Sequence, residues 1–469
     1  MTKEMGSASD PQAAVTEDLS AVIPRMPGGY PFLGHALQLR FHPIEFVQSL
    51  RAQGDVVTFG LGPQRAYAVN HPELIRQMLV TDAKKFEKGK MFEKGKLVSR
   101  NGLFTSEGDF HLRQRRIIQP LFHHSYIAQY TATMWEEAQS RVDSWRDGQE
   151  VLVNREFFSL ALATVTKVLF STEVCDQWST EVQQSIPVLL EGLARRALAP
   201  IDLLDKLPTS MNRRFRKALR AIETVVHSII DEYRAERPES ADLLGALLRA
   251  RDETGAGMSD QQVYDEVVNI LIAGTQTTAD SLSWACHLLS RHPDVLQRVQ
   301  TELDETLGDR EVRHADLGNL RYLQQVIAET LRLYPSTWML MRSPVVDVDL
   351  GGWTIPARST VLFSIYALQH DPALYELPEK FDPDRWDSEH AADIQRSAYI
   401  PFGSGVRGCV GEQFARTQMA VILSVILRDY SLNPAVAQPV KPIAGLLLTP
   451  SAIPLIIERR TARREYQDV

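Results

Sequence analysis

Apolar residues Val263, Val267, Ile270 and Leu271 recur at helical spacing in a stretch that runs from Asp260 to Arg291, with no proline before Pro293. Ser259 followed by Gln262 has capping-box spacing, so the pattern predicts one very long helix starting there. Ala273-Gly274-Thr275-Gln276-Thr277-Thr278 interrupts its apolar stripe with small and hydroxylated side chains. Gly274 weakens the helix locally, and a threonine hydroxyl bonded one turn back opens the ladder into a gap that suits dioxygen and a water. A glycine notch between packed helices, with solvated threonines, is the competing reading. Earlier, prolines and glycines from Pro24 to Gly34 predict an extended lead-in, and Asp55-Val56-Val57-Thr58-Phe59 and Arg65-Ala66-Tyr67-Ala68-Val69 alternate as paired strands do. Helical periodicity dominates from Glu136 to Arg291, broken by Pro200, Pro208 and Gly255-Ala256-Gly257. Short strands are expected again around Val345–Val348, Val361–Ile365 and Pro454–Ile457. The sum is a mainly α fold with a small β portion.

Two basic stretches stand outside this pattern. Phe86-Glu87-Lys88-Gly89-Lys90 is repeated as Phe92-Glu93-Lys94-Gly95-Lys96, too short for a structural repeat, and reads as a flexible, solvated segment. Arg213, Arg214, Arg216, Lys217 and Arg220 lie at helical spacing and read as a solvated face.

Composition narrows the class. Hydrophobic residues make up 44% and charged residues 23%, enough for a sizeable core. The net charge of −8 argues against nucleic-acid binding. No Gly/Ser-rich or Pro-rich linker divides the 469 residues, so 21–460 is expected to form a single catalytic domain between a disordered tail at 1–20 and a C-terminal tail at 461–469. The first twenty residues lack an apolar run, and the apolar stretches elsewhere fall short of the ~18 residues a membrane span needs. No membrane anchor is expected. The three cysteines, Cys175, Cys286 and Cys409, are too few and odd in number for a disulfide framework and suit a reducing cytoplasm.

Three groups of residues carry chemistry. Cys409 lies in Pro401-Phe402-Gly403-Ser404-Gly405-Val406-Arg407-Gly408-Cys409-Val410-Gly411, a glycine-punctuated loop running into an apolar helix near Glu412. Glycines permit tight turns, a helix start offers free N–H groups to a negative sulfur, and Arg407 adds positive charge that favours a thiolate or grips an anion. A lone cysteine is more often a buried free thiol; here the surrounding loop reverses those odds. His111 and Arg115 are four apart, on one helix face, where a surface pair is the common alternative. Glu329 and Arg332 are three apart, flanked by Val326, Ile327, Leu331 and Leu333, and read as a buried pair rather than an exposed one.

The loop fits FGxGxRxCxG, and the chain resembles the cytochrome P450 family over about Pro24 to Ile457. The resemblance implies a P450 fold with haem b between the long central helix and the cysteine loop. Cys409 is then the thiolate ligand, in a loop with Phe402 and Gly403, and it favours O–O cleavage. His111 and Arg115 match the HxxxR pair that holds the haem propionates, with Arg342 and Arg407 at the other propionate positions. Glu329 and Arg332 match ExxR, with Arg385 as the third, structural partner. The AGx[DE]TT pattern assigns Thr277 a hydrogen bond to iron-bound dioxygen and a part in proton delivery. Gln276 stands where Asp or Glu is usual, and an amide positions water but does not titrate. The duplicated segment falls between helices that roof the substrate pocket, where a gating role is the alternative to a plain loop.

The implied reaction is monooxygenation: one atom of O2 enters a hydrophobic small molecule, with electrons from a separate ferredoxin or flavodoxin and an NAD(P)H-dependent reductase. Such a donor is expected to dock over the cysteine side, at Arg113, Arg116 or Arg416. Ala273, Gly274, Trp338, Met339 and Leu447 are expected to line an apolar pocket. The chain looks most like actinobacterial oxygenases acting on terpenes and related secondary metabolites, and a cytoplasmic monomer is expected. A peroxide-using or non-oxidative haem-thiolate enzyme and a non-catalytic haem sensor are the alternatives.

Overall fold

The computed structural model describes residues 23–170, 176–197, 207–236, 242–251, 255–387, 397–436 and 439–460. Both expected tails, Cys175 and Pro200 lie outside the described residues.

The long helix spans Asp260–Arg291 without a break. Ser259 Oγ accepts from the Gln262 backbone N–H at 3.3 Å and Gln262 Oε1 accepts from the Ser259 N–H at 2.7 Å, which closes the capping box. It packs most extensively on the helix Val153–Phe170. There a Cβ added to Gly274 would lie 3.0 Å from Val165 Cγ2, so the glycine permits close approach of two helices. Thr275 and Thr277 donate to Leu271 O and Ala273 O, each at 2.7 Å. These back-bonds occur within a continuous helix, without the opened gap that the sequence suggested.

The paired strands form as expected, Val56–Leu61 against Gln64–Val69. They continue into a five-stranded sheet through a parallel pairing with Thr360–Ser364, then Met339–Pro344 and Phe86–Glu87. A second sheet of three antiparallel strands joins Gln149–Leu152, Pro454–Arg459 and Tyr430–Pro434. The strand expected at Val345–Val348 is displaced: Val345 and Val346 form a bend and are half exposed, and strands flank them at Met339–Pro344 and Val348–Leu350. The main apolar core surrounds the central helix and the helix Glu412–Asp429, and smaller cores fill the sheet side.

The duplicated basic segment is not a solvated loop. Its first copy opens with the strand Phe86–Glu87 and its second lies within the helix Lys90–Ser99, with Phe86 and Phe92 both buried and Gly89, at φ 79°, turning the chain between them. Lys88 is buried with them. The basic cluster from Arg213 to Arg220 does face solvent, along the helix Ser210–Glu236.

Candidate active site at the cysteine loop

The loop before Cys409 is held from inside and outside. Cys409 N donates to Phe402 O at 2.9 Å and Gly408 N to Gly405 O at 3.0 Å, while Ile400 N donates to Gln369 Oε1 at 3.2 Å. Gly403 and Gly405 adopt φ of 71° and 68°, and a Cβ on Gly405 would lie 2.1 Å from Leu79 O. Only glycine fits there. His111 and Arg115 do share a face, as their spacing requires, and both reach this loop: Arg115 Nη1 donates to Gly408 O at 2.7 Å, and His111 Nε2 lies 3.5 Å from Val406 O.

Cys409 reaches solvent, yet the protein around it pushes its thiol above the ordinary range. Both hold for a sulfur lining an internal recess. The Gly411 N–H and the Arg115 charge act against that rise and Glu412 adds to it. An N–H and a guanidinium aimed at sulfur are what a thiolate requires.

Basic side chains gather near the cysteine loop, in Lys88, Arg342 and Arg407. Arg342 is buried with one hydrogen bond, Nη1 to Met341 O at 2.8 Å, between the faces of Phe92 and Phe363 at 6.0 and 5.7 Å. Burial, then the nearby Arg407, lowers its pKa to about 10. Arg407 donates to Ser106 O at 2.9 Å and pairs with Glu107. Lys88 donates to Leu103 O at 3.0 Å and to Phe104 O, and burial followed by repulsion from Arg407 holds its ammonium far below the usual lysine range. Lys88, Arg342 and Arg407 line one small cavity with Phe86 and Met78. Burial, then Arg407 and Lys88, pushes His111 down to about 3, so it is a neutral imidazole donating one N–H. Lys88 and Glu107 were missed in the sequence; Lys88 is two residues from Phe86, which at strand spacing puts both on one face.

This donor set fits haem: a desolvated thiol supported by an N–H and a cation, glycines that let the chain come close, and a buried guanidinium short of anionic partners for the propionates.

On the central helix, Ala273 is exposed although it lies mid-helix, with half-buried Gln276 and Thr277 beside it. Gln276 Nε2 donates to Asp280 Oδ1 at 3.0 Å. Met339 is buried and Leu447 half-buried. Trp338, expected in the pocket wall, packs with Met339 in the sheet-side core, 2% exposed with its indole N–H on Gly445 O at 3.0 Å. Gly274 serves the contact with Val165, as the notch reading had it.

Glu329 and Arg332 are wholly buried and bidentate, at 2.8 and 2.9 Å. Arg332 also donates to the carbonyls of Gln369, Pro378 and Lys380, and Glu329 accepts from Asp382 N, Trp386 Nε1 and, at 3.4 Å, Arg385 Nε. The pair ties its helix to the segment that leads toward the cysteine loop. Among the expected docking arginines, Arg116 is exposed, whereas Arg416 is engaged by Glu412 at 3.1 Å and lies over Phe402 at 5.1 Å.

A thiol reached by an N–H and a guanidinium, buried basic side chains near its loop and a long helix carrying small and hydroxylated residues mid-way suit a haem-thiolate class of protein. Residues 24–457 match the Cytochrome P450 family model, and the chain belongs to that family. It is 39% identical over 436 residues to cyclooctatin synthase of Streptomyces melanosporofaciens, covering 92% of this chain and 95% of the relative. It is 38% identical over 459 residues to cyclooctat-9-en-7-ol 5-monooxygenase of the same organism, covering 98% and 100%. The solved haem domain of cytochrome P450DA superposes with a TM-score of 0.84 at 27% identity, over 93% of this chain and 98% of that one. The protein is a cytochrome P450 monooxygenase whose cofactor is haem b. Among the described residues no helix is long and apolar enough to cross a membrane.

Proposed function

We propose that this monooxygenase oxidises a cyclic, hydrocarbon-rich terpenoid, with Cys409 as the residue whose thiolate would hold its haem. Haem bound there supplies dioxygen activation, which the thiolate favours. The observation that carries the reading is the environment of Cys409: a desolvated sulfur reached by the Gly411 N–H and the Arg115 charge. Arg342, Arg407 and Lys88 hold the propionates, with His111 giving one neutral N–H. Arg342 contributes most, because its guanidinium has a single backbone partner in the protein itself. Arg115 acts on the loop, through Gly408 O, and keeps the sulfur in place.

On the central helix, Thr277 commits its hydroxyl proton to Ala273 O, which leaves Oγ1 free to accept. Gln276 orders water beside it. Ala273, Met339 and Leu447 bound the substrate space, with no charged group among them to anchor an acid. The two named Streptomyces relatives are terpene oxygenases, and one name specifies an unsaturated alcohol oxidised at carbon 5. Electrons come from a separate acidic ferredoxin or flavodoxin, reduced through NAD(P)H, that meets Arg113 and Arg116 in the cytoplasm; the protein acts as a monomer.

The test is a terpenoid library with a surrogate ferredoxin and reductase. The far-red Soret band of the carbon monoxide adduct, type I spectral shifts with cyclic terpenes, and products gaining one oxygen atom only with reduced ferredoxin are expected. Loss of the far-red band in loaded protein overturns the thiolate. Turnover with hydrogen peroxide alone overturns the redox-partner reading, and terpenes that neither shift the spectrum nor react overturn the substrate class.

A further inference from the structure

Ala273, Gln276, Thr277 and Asp280 follow the spacing i, i+3, i+4, i+7, so they form one stripe along the central helix. Ala273, at one end of that stripe, is exposed. Asp280, at the other, is 4% exposed. Its Oδ1 accepts from Gln276 Nε2 at 3.0 Å, and among the described residues neither its Oδ2 nor Gln276 Oε1 has a hydrogen-bond partner. A carboxyl group kept only for packing has its oxygens satisfied; this one holds a free oxygen inside the protein, one turn beyond the groove.

We propose that Asp280 is the acid that stores the proton for the oxygen side of the cofactor, with Gln276 as its positioning residue, replacing an acid at position 276 itself. The inference rests on the haem-thiolate reading above. Burial alone raises the Asp280 pKa, to about 8, and the Gln276 hydrogen bond is what opposes it; no charged side chain among the described residues contributes. The group is therefore a neutral carboxylic acid at pH 7, able to donate where a carboxylate only accepts. Glu266, also buried on this helix, is raised to about 7 by burial but is occupied: its Oε2 accepts from Leu103 N at 3.0 Å, and Lys88 stands near it. Asp280 is the one with an oxygen to spare.

The transfer moves a proton and no electrons. The O–H bond at Asp280 Oδ2 breaks as an O–H bond forms on a water held at Thr277 Oγ1, which passes its own proton on. The carboxylate keeps the Gln276 N–H and takes a proton back from solvent. Electrons come from the redox partner.

Infrared spectroscopy of the oxidised, haem-loaded enzyme reads the stored proton without turnover. A carboxylic-acid carbonyl band that shifts in D2O and disappears in Asp280→Asn is expected; an unchanged band in that variant overturns the proposal. Gln276→Leu should move the band, since the carbonyl loses its hydrogen bond, and an unmoved band counts against the pair even where Asp280→Asn folds poorly. In turnover, Asp280→Asn should slow the proton-dependent step about 10²-fold and raise its solvent isotope effect. Gln276→Glu in the same chain should recover most of that loss by returning an acid one turn away. An Asp280→Asn enzyme with the coupling of the parent, or a double variant without recovery, overturns the relay. Should the parent lack the far-red carbon monoxide band, the haem-thiolate reading fails instead, and the infrared band still reports on Asp280.

Discussion

Replacing Glu329 by leucine tests how much of the site rests on one buried charge. Arg332 is wholly buried, and of its partners only Glu329 carries negative charge; the rest are carbonyls. Stranding that guanidinium costs about 3–5 kcal/mol. Leucine also strands the Asp382 backbone N–H and the Trp386 indole N–H, at about 1–3 kcal/mol each. The loss is then on the order of 5–11 kcal/mol, comparable with the whole stability of a typical fold. Glutamine retains an acceptor oxygen for one of those N–H groups and strands the other, so Glu329→Gln should cost the charge and one unmet N–H, about 4–8 kcal/mol. Haem loading, read from the far-red carbon monoxide band, and the denaturant midpoint are the measurements. Glu329→Leu should yield little loaded protein, and Glu329→Gln loaded protein with a clearly lowered midpoint. A leucine variant that loads fully and unfolds at the parent midpoint would refute the reasoning, because the pair would then bear no weight.

Arg342→Leu removes a charge-assisted contact with a propionate, worth about 1.5–3 kcal/mol, so haem should transfer to a scavenger apoprotein about 10- to 150-fold more readily. Gly405→Ala should lose haem and stability together, since its Cβ would lie 2.1 Å from Leu79 O; an alanine variant with a normal spectrum and melting temperature would contradict the geometry. Asp280 has its folded pKa raised from 3.8 to about 8, so its stabilising contribution is complete below pH 4 and declines as pH rises toward 8. Asp280→Asn should flatten that decline, by up to about 1.4 kcal/mol per pH unit, in unfolding curves collected across the window. Reversing the charge of Arg116 should slow reduction by ferredoxin and weaken its salt dependence, whereas the same change at Arg416 should act through the loop, because Arg416 is tied to Glu412.

Much of this was legible in local spacing. The capping box, the 32-residue helix, the hairpin Val56–Val69 and the Glu329–Arg332 pair follow from residues that meet within a few positions of one another. The duplicated segment was misread because charge dominates its composition, while Phe86 and Phe92 decide its burial. His111 was legible as a donor by its spacing from Arg115, but not as a neutral one: burial, then Arg407 and Lys88, make it so. Trp338, expected in the pocket wall, packs with Met339 in the sheet-side core.

The sequence by itself determined the cysteine loop, the order of helices and strands and the family, because these depend on short-range backbone preferences and on side chains held at fixed spacing. Only the tertiary structure decided which charges are buried together. The protonation of Asp280, the neutrality of His111 and the isolation of Arg342 arise from burial, and burial is a property of the assembled interior, not of any stretch of chain.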